Sequence, residues 1–414
     1  MIPEQIALQA KKCLSCKNAP CSASCPLGID IPAFIRLLKE DKPEQAFEKI
    51  RSRSIFGEIC SAVCPLDKHC RSSCVCGIKG QPVEIPMLEN YLFDRYFIPE
   101  KCACDKQCDV SGSVAVVGSG VAGLSCAVTL AQKGVDVTVY EKAQLGGITA
   151  NEIPPFRLER KAFEKILQYA TCLGVKFRSD EFVSGSEVSV LSEAYDAVFL
   201  ACGLQKEVAA DVQGNCKGVV GATEFLRGRC KSGRKTVVIG GGNVAMDCAR
   251  TALRSGSEVT VVYRRTQDDM PAFSEEKSSA LREGVQFKCL LAPFSVNGTG
   301  DVISATFAEM KVVGQSGGRS AVEKTGKLIT IDCDTVIMAV GSQADEEFFR
   351  RCGLQLVRGR VEVDNDMMTS VDGLFAGGDI VRGENTVAKA VRDGRQAAEG
   401  IIRYIDSKKL SCKE

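Results

Sequence analysis

The sequence contains no tryptophan and a single histidine, His69, among 414 residues. One imidazole argues against zinc centres built on several histidines and against nucleophile–histidine triads; the missing tryptophan decides nothing. Charge of one sign is not in excess either: 53 Lys plus Arg stand against 52 Asp plus Glu, with no block of like charge. The electrostatic footprint of a nucleic-acid binder is therefore missing, and neither DNA nor RNA is expected as a partner. No run of about 18 apolar residues suggests a membrane span, and the opening residues lack the basic-then-apolar pattern of an export signal. The expectation is a cytoplasmic protein without membrane contact. It is long enough for about two to four domains and, at 45% apolar residues, able to bury real cores.

Cysteine is what the chain has in quantity. Of 22 cysteines, twelve lie within the first 108 residues and the other ten are scattered. Secreted disulfide scaffolds are small, whereas a long chain without an export signal, with cysteines in short fixed spacings, points to metal. The spacings are Cys13-x2-Cys16-x4-Cys21-x3-Cys25 followed by Pro26, and Cys60-x3-Cys64-x5-Cys70-x3-Cys74 with Pro65 after Cys64. Such runs bring several thiolates to one point from tight loops, and in two-cluster ferredoxins the cysteine before proline serves the second cluster. Two iron–sulfur clusters are the natural reading. Residues 31–50 place apolar side chains at helical spacing with a break at Asp41-Lys42-Pro43, which predicts two short helices. A small α-helical domain over residues 1–110, held together by its clusters, is expected.

Beyond that boundary one supersecondary pattern occurs twice. Val114-Ala-Val-Val117 runs into Gly118-Ser-Gly120-Val-Ala-Gly123, a helix to about Lys133, and a strand from Val135 to Tyr140 ending at Glu141. Thr236-Val-Val-Ile239 runs into Gly240-Gly-Gly242-Asn243-Val-Ala245, a helix to about Arg254, and a strand from Glu258 to Tyr263 ending at Arg264-Arg265. These read as two βαβ dinucleotide-binding units, in which one glycine makes the turn, one admits the pyrophosphate and one lets helix pack on strand. The phosphate then meets a helix N-terminus, where free N–H groups favour an anion. Glu141 is placed to accept from a ribose diol, which suits FAD. The two guanidiniums of Arg264 and Arg265 suit a 2′-phosphate, which suits NADPH; otherwise they are solvated surface charges. NADH stays open as the nucleotide, because two arginines carry the whole choice.

Leu374-Phe-Ala376-Gly377-Gly378-Asp379, followed by a helix expected from Thr386 to about Tyr404, resembles the closing FAD motif of two-dinucleotide-domain flavoproteins. The resemblance implies that Gly378 and Asp379 contact the flavin half of FAD, and that Thr386 and Val387 begin a helix aimed at the isoalloxazine. Tyr195-Asp-Ala-Val-Phe-Leu-Ala-Cys-Gly203 and Thr335-Val-Ile-Met-Ala-Val-Gly341 look like the crossover strands of such folds, with Cys202 where a threonine is usual; a small residue explains both, and no redox role is attached to it. No Cys-x-x-Cys occurs in residues 112–414, which argues against a disulfide reductase of the thioredoxin reductase kind.

Taken with Leu145-Gly-Gly147, Ile153-Pro-Pro-Phe-Arg-Leu158 and Asp269-Met-Pro-Ala-Phe273, these motifs are similar over almost the whole chain to one family: the glutamate synthase small subunit and the N-terminal half of dihydropyrimidine dehydrogenase. The compact length resembles most the flavin subunit of bacterial dihydropyrimidine dehydrogenases. The fold implied is α/β, with two Rossmann-like domains preceded by the helical iron–sulfur domain: FAD over residues 111–228 and 341–414, NADPH inserted over 229–340. Gly147 belongs to the FAD site by the same likeness. The family pattern assigns Cys13, Cys16, Cys21 and Cys74 to one 4Fe-4S cluster, and Cys25, Cys64 and Cys70 to the other, with Glu89 as its fourth ligand unless that residue is only helix surface. Cys60 is expected to be a packed thiol. Cys76, Cys102, Cys104 and Cys108 have no counterpart in the pattern, and no role is assigned to them.

The implied activity is an electron-entry subunit with no acid–base residue of its own, drawing hydride from NAD(P)H. The electrons pass to a partner catalytic subunit, foremost a barrel flavoprotein of dihydropyrimidine dehydrogenase type. The rivals are the large subunit of glutamate synthase, a soluble ferredoxin serving a bifurcating oxidoreductase, and, from another class, a non-catalytic iron–sulfur scaffold.

Overall fold

A computed structural model describes residues 2–102, 110–208, 212–214 and 216–411; Cys104 and Cys108, and the side chain of Cys102, lie outside the described residues. The chain divides into two compact units, one of residues 1–151, 155–205 and 344–414, the other of residues 152–154 and 206–343.

The first unit opens with short helices and no strand. Residues 31–50 form two helices, Ile31–Lys39 and Pro43–Arg51. Asp41 between them takes a left-handed φ of 54°, and proline at the first turn starts the second helix, since its missing N–H is not needed there. Phe34, Ile35, Ala46, Phe47, Leu88, Leu92 and Phe93 are fully or almost fully buried and form the core of this part. It docks on the rest of the unit through the Phe97–Tyr169 ring pair, 5.5 Å between centroids, and through Lys165 to Glu58 at 2.9 Å.

The remainder of this unit is a five-stranded sheet in the order Leu374–Ala376, Ala197–Leu200, Ser113–Val117, Asp136–Tyr140, Lys176–Arg178, all parallel. Its central strands are continuous apolar runs, as burial on both faces requires. The helix Val121–Gln132 follows the first strand, and the long helix Val387–Ser411 packs on it. Gly394 makes that approach possible: a Cβ there would lie 2.1 Å from the Ala122 carbonyl oxygen. The expected helix from Thr386 runs on past Tyr404 to Ser411, because no glycine or proline follows Tyr404 to interrupt it.

The second unit repeats the arrangement: Val219–Gly221, Thr335–Met338, Lys235–Ile239, Glu258–Tyr263, Gln286–Cys289, again all parallel. Val219–Gly221 pairs into this sheet from ahead of residue 229. An antiparallel sheet of Leu291–Asn297, Ser304–Ser316 and Arg319–Asp332 is added; it went unrecognised in the sequence. In each parallel sheet the glycine-loop strand lies where the strand order reverses, the place where open α/β sheets bind ligands beyond the strand C-termini. Among the described residues no helix is long and apolar enough to cross a membrane.

Candidate functional site

The two glycine loops share one geometry. Gly118 has φ 106°, and a Cβ on it would lie 2.5 Å from the carbonyl oxygen of Ala201, just past the neighbouring strand Ala197–Leu200; the counterpart Gly240, φ 149°, would meet Ala339 O at 2.1 Å. Gly123 lies against Gly118 O, at 2.0 Å from a hypothetical Cβ, so helix and strand could not close with any larger residue. Gly120 and Gly242 are different. Each precedes its helix in extended backbone, φ −65° and −88°, and a Cβ on either would meet no protein atom within 4 Å. A side chain there would occupy the space that a pyrophosphate needs, so the two loops fit dinucleotides.

Around the first loop, Glu141 is 9% exposed and braces the turn. Its Oε2 accepts from Ser119 N at 3.0 Å and Ser119 Oγ at 2.7 Å, and its Oε1 from Ala143 N at 3.1 Å. Ser119 Oγ in turn accepts from Gly146 N at 2.9 Å, and Gly147 lies beside Gly120. Glu141 thus has a structural task besides any ribose contact. Gly378 turns at φ 77° against Ala122, and burial raises the Asp379 carboxyl to about 7, with Glu384 adding to the effect. Thr386 caps the long helix, its Oγ1 accepting from Lys389 N at 3.4 Å, with Val387 the first residue of that helix. Cys202 follows the strand Ala197–Leu200, and burial pushes its thiol up to about 12.

Around the second loop, Asn243 Oδ1 accepts from Phe273 N at 2.9 Å, and Ala245, fully buried, packs beneath. Arg264 is exposed and makes no ion pair or hydrogen bond among the described residues. Arg265 uses only Nε, donating to Ser320 O at 3.1 Å. Among the described residues neither guanidinium is spent on a carboxylate, which leaves both available to an anion.

The cysteines gather in two groups. Burial raises the Cys21 thiol to about 11, and Cys74 and Cys13 add to it by charge; Cys76 is raised by burial and senses Cys74, Cys13 and Cys16, its Sγ donating to Lys12 O at 3.1 Å. The second group lines a cavity with Cys25, Cys60, Cys64, Cys70, His69, Glu89 and Ala388 on its walls. Burial raises Cys25 and Cys70, and both feel Glu89 and Cys64. No disulfide joins the described cysteines. Among the described residues no three donors converge tightly enough for a single ion; a cube of irons takes one ligand at each corner, so its donors stand further apart.

Glu89 decides whether such a group fits. It sits on the helix Ile85–Tyr96, 9% exposed, and burial alone lifts its carboxyl to about 8. No hydrogen bond or ion pair engages that carboxyl among the described residues. His69 Nε2 is likewise buried without a partner. A wall of thiols, one unpaired acid and one unpartnered imidazole nitrogen is costly for a protein interior unless something cationic is bound there, so the donor set fits an iron–sulfur cluster. His69 on this wall was not expected; Cys60, buried one helical turn from Cys64, is packed as the sequence led one to expect.

A pH effect follows. In the iron-free chain the folded-state pKa of Glu89 is raised, so its contribution to stability is complete below about 4.5 and is lost as pH rises toward 8, by about 4 to 5 kcal/mol at about 1.36 kcal/mol per pH unit. Denaturant titrations of iron-free protein between pH 5 and 8 should show that slope, and Glu89→Gln should flatten it.

Known proteins bear the same pattern. The model of the dihydropyrimidine dehydrogenase domain II, 4Fe-4S cluster family matches residues 1–101, and that of the pyridine nucleotide-disulphide oxidoreductase family matches residues 112–394. The chain is 33% identical to the glutamate synthase [NADPH] small chain of Escherichia coli, over 97% of this chain and 92% of that one. It is 35% identical to the NADP(+)-dependent formate dehydrogenase subunit beta of Moorella thermoacetica, over 94% of this chain and 60% of that one. In fold it is similar to FprA of Mycobacterium tuberculosis in complex with NADPH, at TM-score 0.62 and 19% identity over 73% of this chain and 86% of that one. The chain belongs to the family of NAD(P)H-dependent FAD and iron–sulfur oxidoreductases that contains the glutamate synthase small chain.

Proposed function

We propose that the chain is an electron-entry subunit: it binds FAD at the Gly118–Gly123 loop and NADPH at the Gly240–Ala245 loop, and delivers electrons through two 4Fe-4S clusters to a catalytic partner subunit. The observation that carries this is the cavity around Cys25, Cys64, Cys70 and Glu89, walled by Ala388 of the very helix whose capped N-terminus begins at Thr386. When bound, the flavin supplies the conversion of hydride transfer into single-electron transfer. The chain's own residues orient and insulate. Gly118, Gly120 and Gly123 shape the phosphate turn, with Glu141 and Gly147 around it. Gly378 and Asp379 close the flavin side, and Thr386 with Val387 opens a helix toward it. In the second loop Gly240, Gly242, Asn243 and Ala245 form the turn, and Arg264 and Arg265 receive the 2′-phosphate. Cys13, Cys16, Cys21 and Cys74 hold one cluster; Cys25, Cys64, Cys70 and Glu89 hold the other.

For the partner, the match of residues 1–101 to the dihydropyrimidine dehydrogenase domain II family supports a barrel flavoprotein of dihydropyrimidine dehydrogenase type, while similarity to the small chain of glutamate synthase supports the large chain of that enzyme equally well. Anaerobic purification of the native complex and mass spectrometry of what co-elutes separates them, and elution of the chain alone removes both.

The nucleotide is tested under argon. NADPH should bleach the flavin band at least tenfold more efficiently than NADH, and Arg264→Ala with Arg265→Ala should erase that preference. Equal efficiency in the unaltered protein would return the two arginines to the solvated surface.

A further inference from the structure

The loop that follows Arg264 and Arg265 is tied in two directions. Toward the glycine turn, Ala272 N donates to Gly241 O at 3.0 Å and Phe273 N to Asn243 Oδ1 at 2.9 Å. Tyr263 packs on Gly241, where a Cβ would lie 2.6 Å from its ring, and its hydroxyl donates to Asp269 O at 3.1 Å. Away from the turn, the loop meets the hairpin made by Ser304–Ser316 and Arg319–Asp332. Ser320, near the hairpin tip, donates its N–H to Asp269 Oδ1 at 2.9 Å and accepts from Arg265 Nε at 3.1 Å. Asp269 Oδ2 accepts from Thr266 N at 3.2 Å. These hydrogen bonds, that of the Thr266 hydroxyl foremost, hold the Asp269 carboxyl well below the usual carboxylate range.

Asp269 therefore stands five positions or fewer from both arginines without pairing with either. Its oxygens are occupied by Thr266 and Ser320, and it fixes the backbone that carries them. Arg265, held at Nε, makes no hydrogen bond through its two terminal nitrogens among the described residues, the pair that can donate in parallel to one phosphate. A guanidinium pre-oriented in this way loses less side-chain entropy on binding than a free one.

We infer that Asp269 and Ser320 are positioning residues for nucleotide choice, the hairpin acting as a brace that aims Arg265 at the 2′-phosphate. The inference rests on the reading of this loop as the NADPH site. It predicts that discrimination depends on residues that never touch the nucleotide.

The test is calorimetric binding of 2′,5′-ADP and 5′-ADP to the flavin-loaded protein, alongside KM and kcat with NADPH and NADH. Asp269→Asn and Ser320→Pro should each lower the preference for 2′,5′-ADP about tenfold, raise KM for NADPH and leave kcat and 5′-ADP binding near their original values. Ser320→Ala, which keeps both backbone contacts, should behave as the unaltered protein. If Asp269→Asn keeps the full preference while Arg264→Ala with Arg265→Ala abolishes it, the brace is refuted and the NADPH site stands. If the unaltered protein shows no preference, the reading beneath the inference fails as well. Should Ser320→Pro not fold, Asp269→Asn decides alone.

Discussion

Gly120→Ala will give a folded protein that has lost its FAD. The loop adopts φ −65° at this residue, open to any L-amino acid, and the added methyl would meet no protein atom within 4 Å. In the chain itself the change is neutral or slightly favourable, since alanine restricts the unfolded state by about 0.4 to 1 kcal/mol. The methyl enters only the volume proposed for the pyrophosphate, where the backbone N–H groups at the start of the helix Val121–Gln132 must make close contact. We expect the flavin content after purification to fall by more than about tenfold, a loss of about 1.4 kcal/mol or more in binding, with an unchanged circular dichroism spectrum. Gly123→Ala is the contrasting case: its methyl would lie 2.0 Å from Gly118 O, so both flavin and fold should be lost. If Gly120→Ala retained a full complement of FAD, the phosphate would have to lie elsewhere. Gly242→Ala makes the same comparison in the second unit, with flavin kept and NADPH binding lost.

The second large effect concerns iron. Cys21→Ala and Cys70→Ala fall in different groups, so each should remove about half of the iron and leave the other half spectroscopically intact. Loss of all iron from either variant, or of none, would overturn the assignment of two separate clusters. Two further variants sharpen it. Cys60→Ala should keep all the iron if that thiol only packs beside Cys64, whereas Glu89→Ala should change the low-temperature EPR spectrum of the second cluster, because replacing a hard carboxylate alters ligand charge at the iron. An unaltered spectrum would take Glu89 out of the ligand set. Metal analysis of both variants in parallel shows which of the two side chains is the donor.

Much of this architecture was legible before any coordinates. The two glycine turns announce themselves because strand, turn and helix each need particular residues at fixed offsets, and the break at Asp41-Lys42-Pro43 is visible because proline cannot continue a helix. The cysteine spacings are local and mark the loops that bear the thiols, but the grouping joins distant stretches, Cys21 with Cys74 and Cys25 with Cys64 and Cys70, and only the family resemblance anticipated it. What stayed hidden depends on distant partners. The hairpin at Ser304–Asp332 is largely exposed beyond its base and carries glycines and charges in place of a clean alternation, so its pattern is too weak to separate it from a loop. The strand Val219–Gly221 is only three residues long and is defined by its pairing with Thr335–Met338. His69 and Asp269 look like ordinary surface residues in sequence; only the fold puts one on the cavity wall and the other under Ser320.

The cavity beside Cys25, Cys64 and Cys70 is finished by Ala388, and the helix bearing Ala388 is fastened to the first helical segment by Arg395, which donates to Arg53 O at 2.9 Å. Along the chain the cysteines of this wall come before the two glycine loops, and Ala388 comes after them. Iron delivered during synthesis would meet an open loop of thiols, exposed to solvent and oxidants, for the whole time the two dinucleotide folds are being made. The order of the chain thus leaves this pocket open until the helix Val387–Ser411 has been made and has packed against the thiols that precede it.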